Sequence, residues 1–357
     1  MIELTAIEAA RERIAGAAVR TPLVRLQAGD APAEIYLKLE NLQPINSFKI
    51  RGATNAVMLA PAAERAKGLV TASAGNMAQG VAWAARELGV PATIAVPEHA
   101  PEAKLAAIER LGGQVRKLPY DDWWNVIVTS RLEGTEGLFV HPVQDPGVMA
   151  GNGTIGLEIL EDLPDPDAVV IPYGGGGLTV GIASAIRALR PETKIFTAEP
   201  ETGAALAAAL AAGHPADVDY QASFVDGAGS RRVLDSMWPL VTPLVDAALA
   251  IPIGEAAAAV RLLAERARVI AEGAGALAAA AALGGRAGPG KVVCIVSGGN
   301  INLTKLADIL QGAVMGKQER LQAGQAGQFH EAVDAEGLDA GMQQRIGQAG
   351  LETGLIR

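Results

Sequence analysis

The alternation of two local patterns constrains the fold of this chain more than any other feature. From residue 35 onward, short runs rich in β-branched residues, such as "ATIAVP" (92–97) and "KIFTAEP" (194–200), alternate with longer segments of helical periodicity. Strands that alternate with helices in this way form parallel sheets covered by helices on both faces. The sequence therefore predicts an α/β fold with open parallel sheets, and no segment repeats at a fixed period.

The length of 357 residues suggests two domains rather than one. We predict a large domain formed by residues 1–45 and 146–315, and a small domain formed by residues 46–145. A Pro- and Gly-rich segment, "HPVQDPGVMAGNG" (141–153), is the predicted crossing between them. Residues 316–357 are predicted to be a C-terminal extension, a linker with a short helix that is too short for a full regulatory domain.

Composition and charge exclude several classes of partner. Half of the residues are hydrophobic and only 4% are aromatic, so the core must consist mostly of Ala, Leu, Val and Ile. The net charge of −9 opposes binding to nucleic acid or to an anionic membrane. Residues 1–16 predict an amphipathic helix and lack the apolar core of a signal peptide. Because no apolar run is long enough to span a bilayer, we expect a cytoplasmic protein.

Several smaller features also have structural rather than catalytic interpretations. Two Ala-rich stretches, 203–212 and 274–283, predict buried helices. The single cysteine, Cys294, lies in the apolar run "KVVCIV" and is predicted to be a buried thiol, not a nucleophile. The histidines lack the spacing of a zinc site; they are His99, His141, His214 and His330.

The first candidate binding loop is "PYGGGGLTVG" (172–181), which lies between a predicted strand and a predicted helix. Its four consecutive glycines let the backbone approach an anion closely, and the helix offers unpaired N–H groups and the positive end of its dipole. The segment lacks the Gly-Lys-Ser/Thr of a nucleotide P-loop and does not complete G-x-G-x-x-G. We interpret it as a phosphate cradle for a ligand that is not a nucleotide.

Two further loops follow predicted strands. The loop "SAGNMAQG" (73–80) places Ser73 and Asn76 at a helix N-terminus, where a hydroxyl, a carboxamide and backbone amides suit a small carboxylate. The loop "SGGN" (297–300) begins with Ser297, whose hydroxyl would point into the cleft. Ligands of open parallel sheets bind at the carboxyl ends of the strands, so these loops are candidate parts of one site.

Lys49, in the segment "NSFKIRGA" (46–53), is the candidate reactive group. A single lysine is usually a solvated surface residue, and only residues that hold the partner of its amine favour another role. The glycine cradle, the carboxylate loop and the Ser297 hydroxyl supply such residues. Pyridoxal 5′-phosphate needs an amine for its aldehyde, donors for its phosphate and a partner for its ring nitrogen. The four features together predict this cofactor.

With these motifs the chain resembles a known family. It is similar to the serine/threonine dehydratases of the fold type II pyridoxal-phosphate enzymes, a group that also contains serine racemase and hydroxyaspartate ammonia-lyases. The resemblance implies two open parallel-sheet domains of the tryptophan synthase β-like architecture and, because related enzymes are often dimers, a homodimer. It covers residues 5 to 312, and its motifs are "RTPLVRL", "YLKLENLQP", "SFKIRGA", "SAGNMAQG", "GTIGLEIL", "GGGGL" and "SGGN".

The resemblance also implies roles for individual residues. Lys49 would hold the cofactor covalently and, once released by substrate, move the α-proton. Phe48 would pack beside the cofactor ring, and Asn76 would hydrogen-bond its phenolic oxygen. The phosphate would be bound by Gly174, Gly175, Gly176, Gly177 and Leu178. The substrate would be bound by Ser73, Ala74, Gly75, Asn76 and Met77.

Ser297 would face the pyridine nitrogen, and its chemistry bears on the reaction. A neutral hydroxyl does not protonate the ring as a carboxylate would, so the cofactor is a weaker electron sink. Carbanion character then lasts only briefly, which favours prompt loss of a β-leaving group over transamination.

Other positions depart from the family pattern. Glu199 resembles the carboxylate of a structural cation site, but the acidic residue expected six positions further on is Ala205, so we predict no metal. Asp226 matches the family's loop beside the ring and is predicted to be structural. Ile45 and Met77 replace a Thr and a His that are common in the family, which leaves open either a pocket for an aryl or larger alkyl group or a change in the core behind the site.

The predicted activity is the removal of water from a β-hydroxy α-amino acid, which gives a 2-oxo acid and ammonia. Threonine and serine are the leading substrates, and a bulky apolar or aryl β-substituent, as in phenylserine, is an open alternative. Two other enzymatic alternatives are a hydroxyaspartate ammonia-lyase and a racemase of the serine racemase type, although Ala74 removes the obvious second proton donor of a racemase. A protein that only stores or senses pyridoxal phosphate is the non-enzymatic alternative, and the carboxylate loop argues against it.

Overall fold

The computed structural model describes residues 1–29 and 31–313, and the chain up to Gln311 forms one compact unit. The extension predicted at 316–357 lies outside the described residues. The strands of the described part are β1 (Leu23–Arg25), β2 (Glu34–Leu39), β3 (Leu69–Ala72), β4 (Ala92–Pro97), β5 (Gly113–Leu118), β6 (Leu138–Phe139), β7 (Ala168–Pro172), β8 (Lys194–Pro200), β9 (Ala247–Ile251) and β10 (Lys291–Val296).

The helices of the described part lie before, between and after these strands. They are α1 (Leu4–Arg13), α2 (Lys49–Leu59), α3 (Ala62–Arg65), α4 (Asn76–Leu88), α5 (Glu102–Arg110), α6 (Tyr120–Thr129), α7 (Pro146–Asp162), α8 (Gly177–Leu189), α9 (Ala205–Ala212), α10 (Trp238–Val241), α11 (Ile253–Leu262), α12 (Gly273–Leu283) and α13 (Leu303–Leu310). Short 3-10 helices occur at Glu40–Leu42 and Glu201–Gly203, and a π-helical turn at Leu263–Ala267. No helix among these residues is long and apolar enough to cross a membrane.

The strands form two sheets, as the alternating pattern predicts. The larger sheet has the order β1-β2-β10-β7-β8-β9, and all its neighbours are parallel except β1 and β2. The smaller sheet has the order β5-β4-β3-β6 and is parallel throughout. The predicted α/β fold is therefore confirmed. The strands of the smaller sheet lie between residues 69 and 139, but the domain boundaries at 45 and 145 stay predictions.

Most of the predicted helices are found close to their expected positions. The N-terminal segment forms α1, which buries Ile7 and Ala10. The Ala-rich stretch 274–283 lies in α12, which is buried along almost its whole length. The stretch 203–212 forms α9 from Ala205 onward. This helix buries only one face, whereas a buried helix was predicted.

The helix that carries Lys49 is held by close packing between helices. Helix α2 packs against α7, which in turn packs against α8. A Cβ at Gly151 of α7 would lie only 2.5 Å from the carbonyl oxygen of Arg51, and a Cβ at Gly181 of α8 would overlap the carbonyl oxygen of Met149. Glycine is needed at both crossings because the backbones approach too closely for a side chain. The "GTIGLEIL" motif thus belongs to α7, the helix against which α2 packs.

A buried set of charges ties α2 to its neighbours, and we call it the ion-pair network; it consists of Lys38, Glu40, Arg51 and Glu158. The Arg51 guanidinium donates to both carboxylates, over 2.8 and 2.9 Å to Glu40 and over 2.6 and 2.9 Å to Glu158. Lys38 Nζ donates to Glu158 Oε2 over 2.5 Å, and Thr21 Oγ1 donates to Glu40 Oε1 over 2.6 Å. Three family-like motifs, "KLENLQ", "KIRGA" and "GTIGLEIL", therefore meet in one network.

Candidate active site

The Lys49 segment and the "SGGN" loop are paired through their backbones. Ser47 and Gly298 form an antiparallel bridge, and Phe48 N donates to Ser297 O over 3.0 Å. Lys49 follows directly at the first residue of α2. The structure thus places Lys49 beside the end of β10, although the two segments lie far apart in the chain.

The Lys49 amine is removed from most of the solvent and has a neutral partner. Its Nζ donates to Pro142 O over 3.1 Å and lies 5.2 Å from the centroid of the Phe48 ring. Burial lowers the pKa of Lys49 to about 8, and the negative charge of Glu272 opposes that shift. An amine with this pKa is partly unprotonated near neutral pH, as a nucleophile or base requires.

The glycine loop has the geometry of an anion cradle. Gly176 has φ +94°, and a Cβ at Gly175 would lie 2.5 Å from Val143 Cγ2, so side chains are excluded at both positions. Helix α8 begins at Gly177 and presents its N-terminus to the loop. Val143 follows Pro142, whose carbonyl binds the Lys49 amine. This dipeptide therefore joins the glycine loop to the candidate reactive group.

The carboxylate loop is linked to the "SGGN" loop by side-chain amides. Gly75 N donates to Ser73 Oγ over 3.2 Å, and Asn76 is the first residue of α4. The Asn76 Oδ1 accepts a hydrogen bond of 2.8 Å from Asn300 Nδ2. Asn300 also donates to Ile45 O over 2.9 Å. All the loops selected from the sequence therefore meet around Lys49, as expected from their positions at strand ends.

Glu272 belongs to the same site and was not identified from the sequence. It directly precedes α12 and is 7% exposed, and its Oε1 accepts a hydrogen bond of 2.8 Å from Asn76 Nδ2. Burial and the nearby Asp226 raise the pKa of Glu272 to about 7, against the opposing effects of Asn76, Lys104 and the Asn300 N–H. The one available signal was a lone acidic residue in the otherwise uncharged stretch "VIAEGAGALAAAAAL".

Ser297 and Ala74 both belong to loops that meet at the site, and their roles stay predictions. The Ser297 side chain is 3% exposed at the end of β10, and its hydroxyl has no hydrogen-bond partner among the described residues. Ala74 is partly exposed in the carboxylate loop and carries no group that could transfer a proton. The hydroxyl is therefore available to a ligand, and the loop offers no second base at position 74.

Ile45 and Met77 are buried rather than exposed to the cleft. Each is 2% exposed, whereas the neighbouring residues Ala74 to Asn76 are partly exposed. The Met77 side chain packs in a core cluster that includes Val81 and Val148. Because its side chain is buried, Met77 could contact the substrate only through its backbone, in the first turn of α4. The contacts of Met77 and the burial of Ile45 favour the interpretation that both residues are changes in the core behind the site.

Three further residues have structural contacts. Glu199 accepts hydrogen bonds of 3.0 Å from the backbone N–H groups of Leu206 and Ala207 at the start of α9, and burial raises its pKa to about 7. Asp226 forms an ion pair with Lys104 at the rim of the site. Cys294 is fully buried and burial raises its pKa, so the prediction of a structural thiol is confirmed. No cluster of three metal-ligating side chains occurs in the described part of the chain.

Comparison with known proteins identifies the family. Residues 14–298 match the family of pyridoxal-phosphate dependent enzymes, and this chain belongs to that family. It is 42% identical to an L-threonine ammonia-lyase of Thermotoga maritima over 315 residues, which are 87% of this chain and 78% of the relative.

Solved structures give the same result for the fold. The structure of maize serine racemase has a TM-score of 0.80 and 32% identity, covering 87% of this chain and 97% of the racemase. The structure of a threonine deaminase from T.th. has a TM-score of 0.78 and 35% identity, covering 84% of this chain and 99% of the deaminase. The predictions of a fold type II architecture, of pyridoxal phosphate as cofactor and of a lyase are confirmed.

The residues of the site fit the cofactor. The glycine loop exposes backbone N–H groups without side chains at a helix N-terminus, which suits a phosphate. The Lys49 amine suits the aldehyde of the cofactor. The aromatic ring of Phe48 and the Ser297 hydroxyl, which has no partner among the described residues, suit its pyridine ring. The chain therefore supplies a chemically matching group for each part of pyridoxal phosphate.

Proposed function

We propose that this protein removes water from a small β-hydroxy α-amino acid, with L-threonine preferred, and that the product hydrolyses to a 2-oxo acid and ammonia. The observation that carries the proposal is the pairing of the Lys49 segment with the Ser297 loop, with Pro142 and Val143 joining the amine to the glycine loop. The proton-transferring amine and the neutral hydroxyl are then parts of one site. Relatives named L-threonine ammonia-lyase support the same reaction.

In this proposal each group of the chain has one task. Pyridoxal phosphate, when bound, withdraws electron density from the α-carbon of the amino acid. The N–H groups from Gly174 to Leu178 bind the phosphate, and Ser73, Gly75 and Asn76 orient the substrate carboxylate. Lys49 holds the cofactor and then takes the α-proton as a free amine, for which a pKa of about 8 is suitable.

The side chains around the α-carbon favour elimination over the alternatives. The Ser297 hydroxyl leaves the ring nitrogen unprotonated, which favours prompt loss of the β-hydroxyl. Ala74 supplies no proton to the second face, which disfavours racemisation. Because Ile45 and Met77 are buried, neither forms an apolar pocket for an aryl group. These features support a small substrate such as threonine rather than phenylserine.

The decisive test is a comparison of substrates. We expect 2-oxo acid release from L-threonine and L-serine, with kcat/KM for threonine at least about tenfold above that for β-phenylserine. 3-Hydroxyaspartate and the conversion of L-serine to D-serine are measured in parallel. A clear preference for phenylserine or hydroxyaspartate, or racemisation faster than oxo-acid release, would overturn the proposal.

The role of Lys49 is tested by chemical labelling. Borohydride reduction should fix the visible chromophore on the peptide that contains Lys49, and Lys49→Ala should lower activity by ~10²–10⁴-fold. Lys117→Ala is a matched control, because Lys117 is exposed and pairs with Glu102 at the surface. A label on another lysine would contradict the assignment.

The glycine cradle is tested with a pair of variants. Gly175→Ala places a Cβ against Val143, and overpacking of this kind costs about 1–3 kcal/mol. We expect the cofactor Kd to rise about tenfold and Val143→Ala to restore binding in the double variant. Equal cofactor affinity in Gly175→Ala and the wild type would show that the loop does not bind the phosphate as proposed.

We also propose that the protein is a homodimer in the cytoplasm. The support for both is the family resemblance. Light scattering of the purified holoenzyme should give twice the mass of 36.6 kDa. A mass that corresponds to a monomer would contradict the dimer.

A further inference from the structure

Glu272 is a buried carboxylate of the site, and no cationic side chain of the described residues contacts it directly. Its side chain accepts from Asn76 Nδ2 over 2.8 Å, and its backbone N–H donates to Gly298 O over 3.0 Å. A Cβ at Gly298 would overlap Glu272 Oε1, so the "SGGN" loop covers the carboxylate closely. A desolvated carboxylate without a contacting cation is costly, which makes a purely structural role a poor explanation.

The contact with Glu272 determines how the Asn76 carboxamide is oriented. Its Nδ2 donates to Glu272, and its Oδ1 accepts from Asn300 Nδ2 over 2.8 Å. Each Nδ2 carries two hydrogens, so one hydrogen of Asn76 stays free for a ligand. A carboxylate on one side and an amide donor on the other leave a single stable orientation.

Charged groups on three other segments interact with Glu272. The negative charge of Glu272 favours the charged form of Lys49 at the start of α2. Asp226, in the loop between α9 and α10, disfavours a negative charge on Glu272, and Lys104 of α5 favours it. Lys104 and Asp226 also form an ion pair with each other at the rim. The neutral contacts of Glu272 come from Asn76 and from the backbone of Gly298 and Asn300.

We infer that Glu272 is a positioning residue of the active site, whose carboxylate orients the Asn76 carboxamide and supplies the negative charge that holds a proton on the Lys49 nitrogen. The Lys104–Asp226 pair at the rim tunes that charge. This inference rests on the proposed function only in assigning Lys49 and Asn76 to the cofactor. Opening the rim pair would change the charge of Glu272, and with it the basicity of the group that moves the α-proton.

Two substitutions at Glu272 separate charge from hydrogen bonding. Glu272→Gln keeps an oxygen that accepts from Asn76 but removes the charge, whereas Glu272→Asp keeps the charge and shortens the side chain. The readout is the pH midpoint at which the visible absorption band of the bound cofactor changes, measured on the holoenzyme without substrate. A lost negative charge nearby lowers this midpoint by about one pH unit. We expect that shift in Glu272→Gln and a midpoint close to wild type in Glu272→Asp.

The rim pair supplies a second test with Glu272 intact. Lys104→Met leaves Asp226 unopposed and should lower the midpoint, whereas Asp226→Asn should raise it. Glu265→Gln is the control, because Glu265 is exposed and pairs with Arg261 at the surface. Unchanged midpoints in Glu272→Gln, or rim variants that do not shift the midpoint in these two directions, would overturn the inference. If Glu272→Gln does not retain cofactor, the rim variants decide alone.

The experiments test the proposed function and the role of Glu272 independently of each other. The spectral titration needs no substrate, so it reports on Glu272 even if threonine is not consumed. Conversely, oxo-acid release without any midpoint shift would support the proposed function and refute the role of Glu272.

Discussion

Two groups of buried charges meet at the start of α2, and they differ in how the charges are paired. In the ion-pair network, the Arg51 guanidinium binds the carboxylates of Glu40 and Glu158 directly. In the active site, Lys49 and Glu272 both contact neutral groups, the carbonyl of Pro142 and the amide of Asn76. Lys49 and Arg51 are only two positions apart in the chain, so their environments differ because of tertiary contacts alone.

The pairing decides the ionisation of each group. Burial alone would raise the pKa of Glu40, but Arg51 and the hydrogen bond from Thr21 outweigh it, and the pKa is lowered. The carboxylates around Arg51 likewise raise its pKa despite burial. In the active site burial dominates, so the pKa of Glu272 rises to about 7 and that of Lys49 falls to about 8. Paired charges keep Glu40 and Arg51 ionised, whereas the unpaired Lys49 and Glu272 become able to exchange protons near neutral pH.

The largest expected effect comes from breaking the network. Arg51→Met should lower the free energy of unfolding by about 3–5 kcal/mol, because it leaves two buried carboxylates without their shared cation. The measurement is chemical denaturation at pH 7. Arg286→Met is the matched control, because the Arg286–Glu255 pair is partly exposed and such pairs contribute about 1 kcal/mol or less. Similar losses in the two variants would contradict the contrast between the network and the surface.

A smaller effect is expected at Glu40, and it depends on pH. Glu40→Gln should cost about 1–3 kcal/mol at pH 7, since it weakens charged hydrogen bonds with Arg51. The folded pKa of Glu40 lies below the unfolded value of 4.5, so its stabilisation is complete above that value. It is lost as the pH falls through the folded pKa. The difference between variant and wild type should therefore shrink below about pH 4.5, and a constant difference would rule out the ionic contribution.

Glu199 is a second buried carboxylate whose hydrogen-bond donors are backbone N–H groups rather than a cation. It tests whether such an environment is enough to raise the pKa of a carboxylate. Its folded pKa of about 7 exceeds the ordinary value of 4.5, so the native state binds more protons between these values. Stability should then decrease as the pH rises from about 4.5 to 7. Glu199→Gln should remove that decrease, which amounts to at most about 3 kcal/mol for such a shift. An unchanged pH slope would contradict the assignment, and melting that responds to EDTA would contradict the prediction that this carboxylate binds no metal.

The smallest effect on stability is expected at Ser297. Its hydroxyl has no partner among the described residues, so Ser297→Ala should change the free energy of unfolding by less than about 0.5 kcal/mol. Oxo-acid release should nevertheless decrease, because the cofactor ring loses its polar neighbour. A large loss of stability with unchanged activity would place Ser297 with the structural residues instead.

Local features of the site could be predicted from the sequence, whereas long-range contacts could not. Each binding loop was identified because a strand end, a run of glycines or a helix N-terminus is encoded by neighbouring residues. Glu272 was missed because its contact with Asn76 spans 196 positions. The direction of the Met77 side chain was left open for a similar reason. A residue next to a binding loop faces either the cleft or the core, according to how the helix that it begins is packed.

Neighbouring residues along the chain are enough to predict the alternation of strands and helices, the parallel sheets and the chemistry of the loops at their carboxyl ends. Those properties follow from local periodicity and from the conformational freedom of glycine. The pairing of the buried charges, in contrast, depends on tertiary contacts. Lys49 and Arg51 lie on the same short segment, yet one meets a carbonyl oxygen and the other two carboxylates. Ionisation depends on the solvent exclusion and charges around each group, and distant segments of the chain supply both.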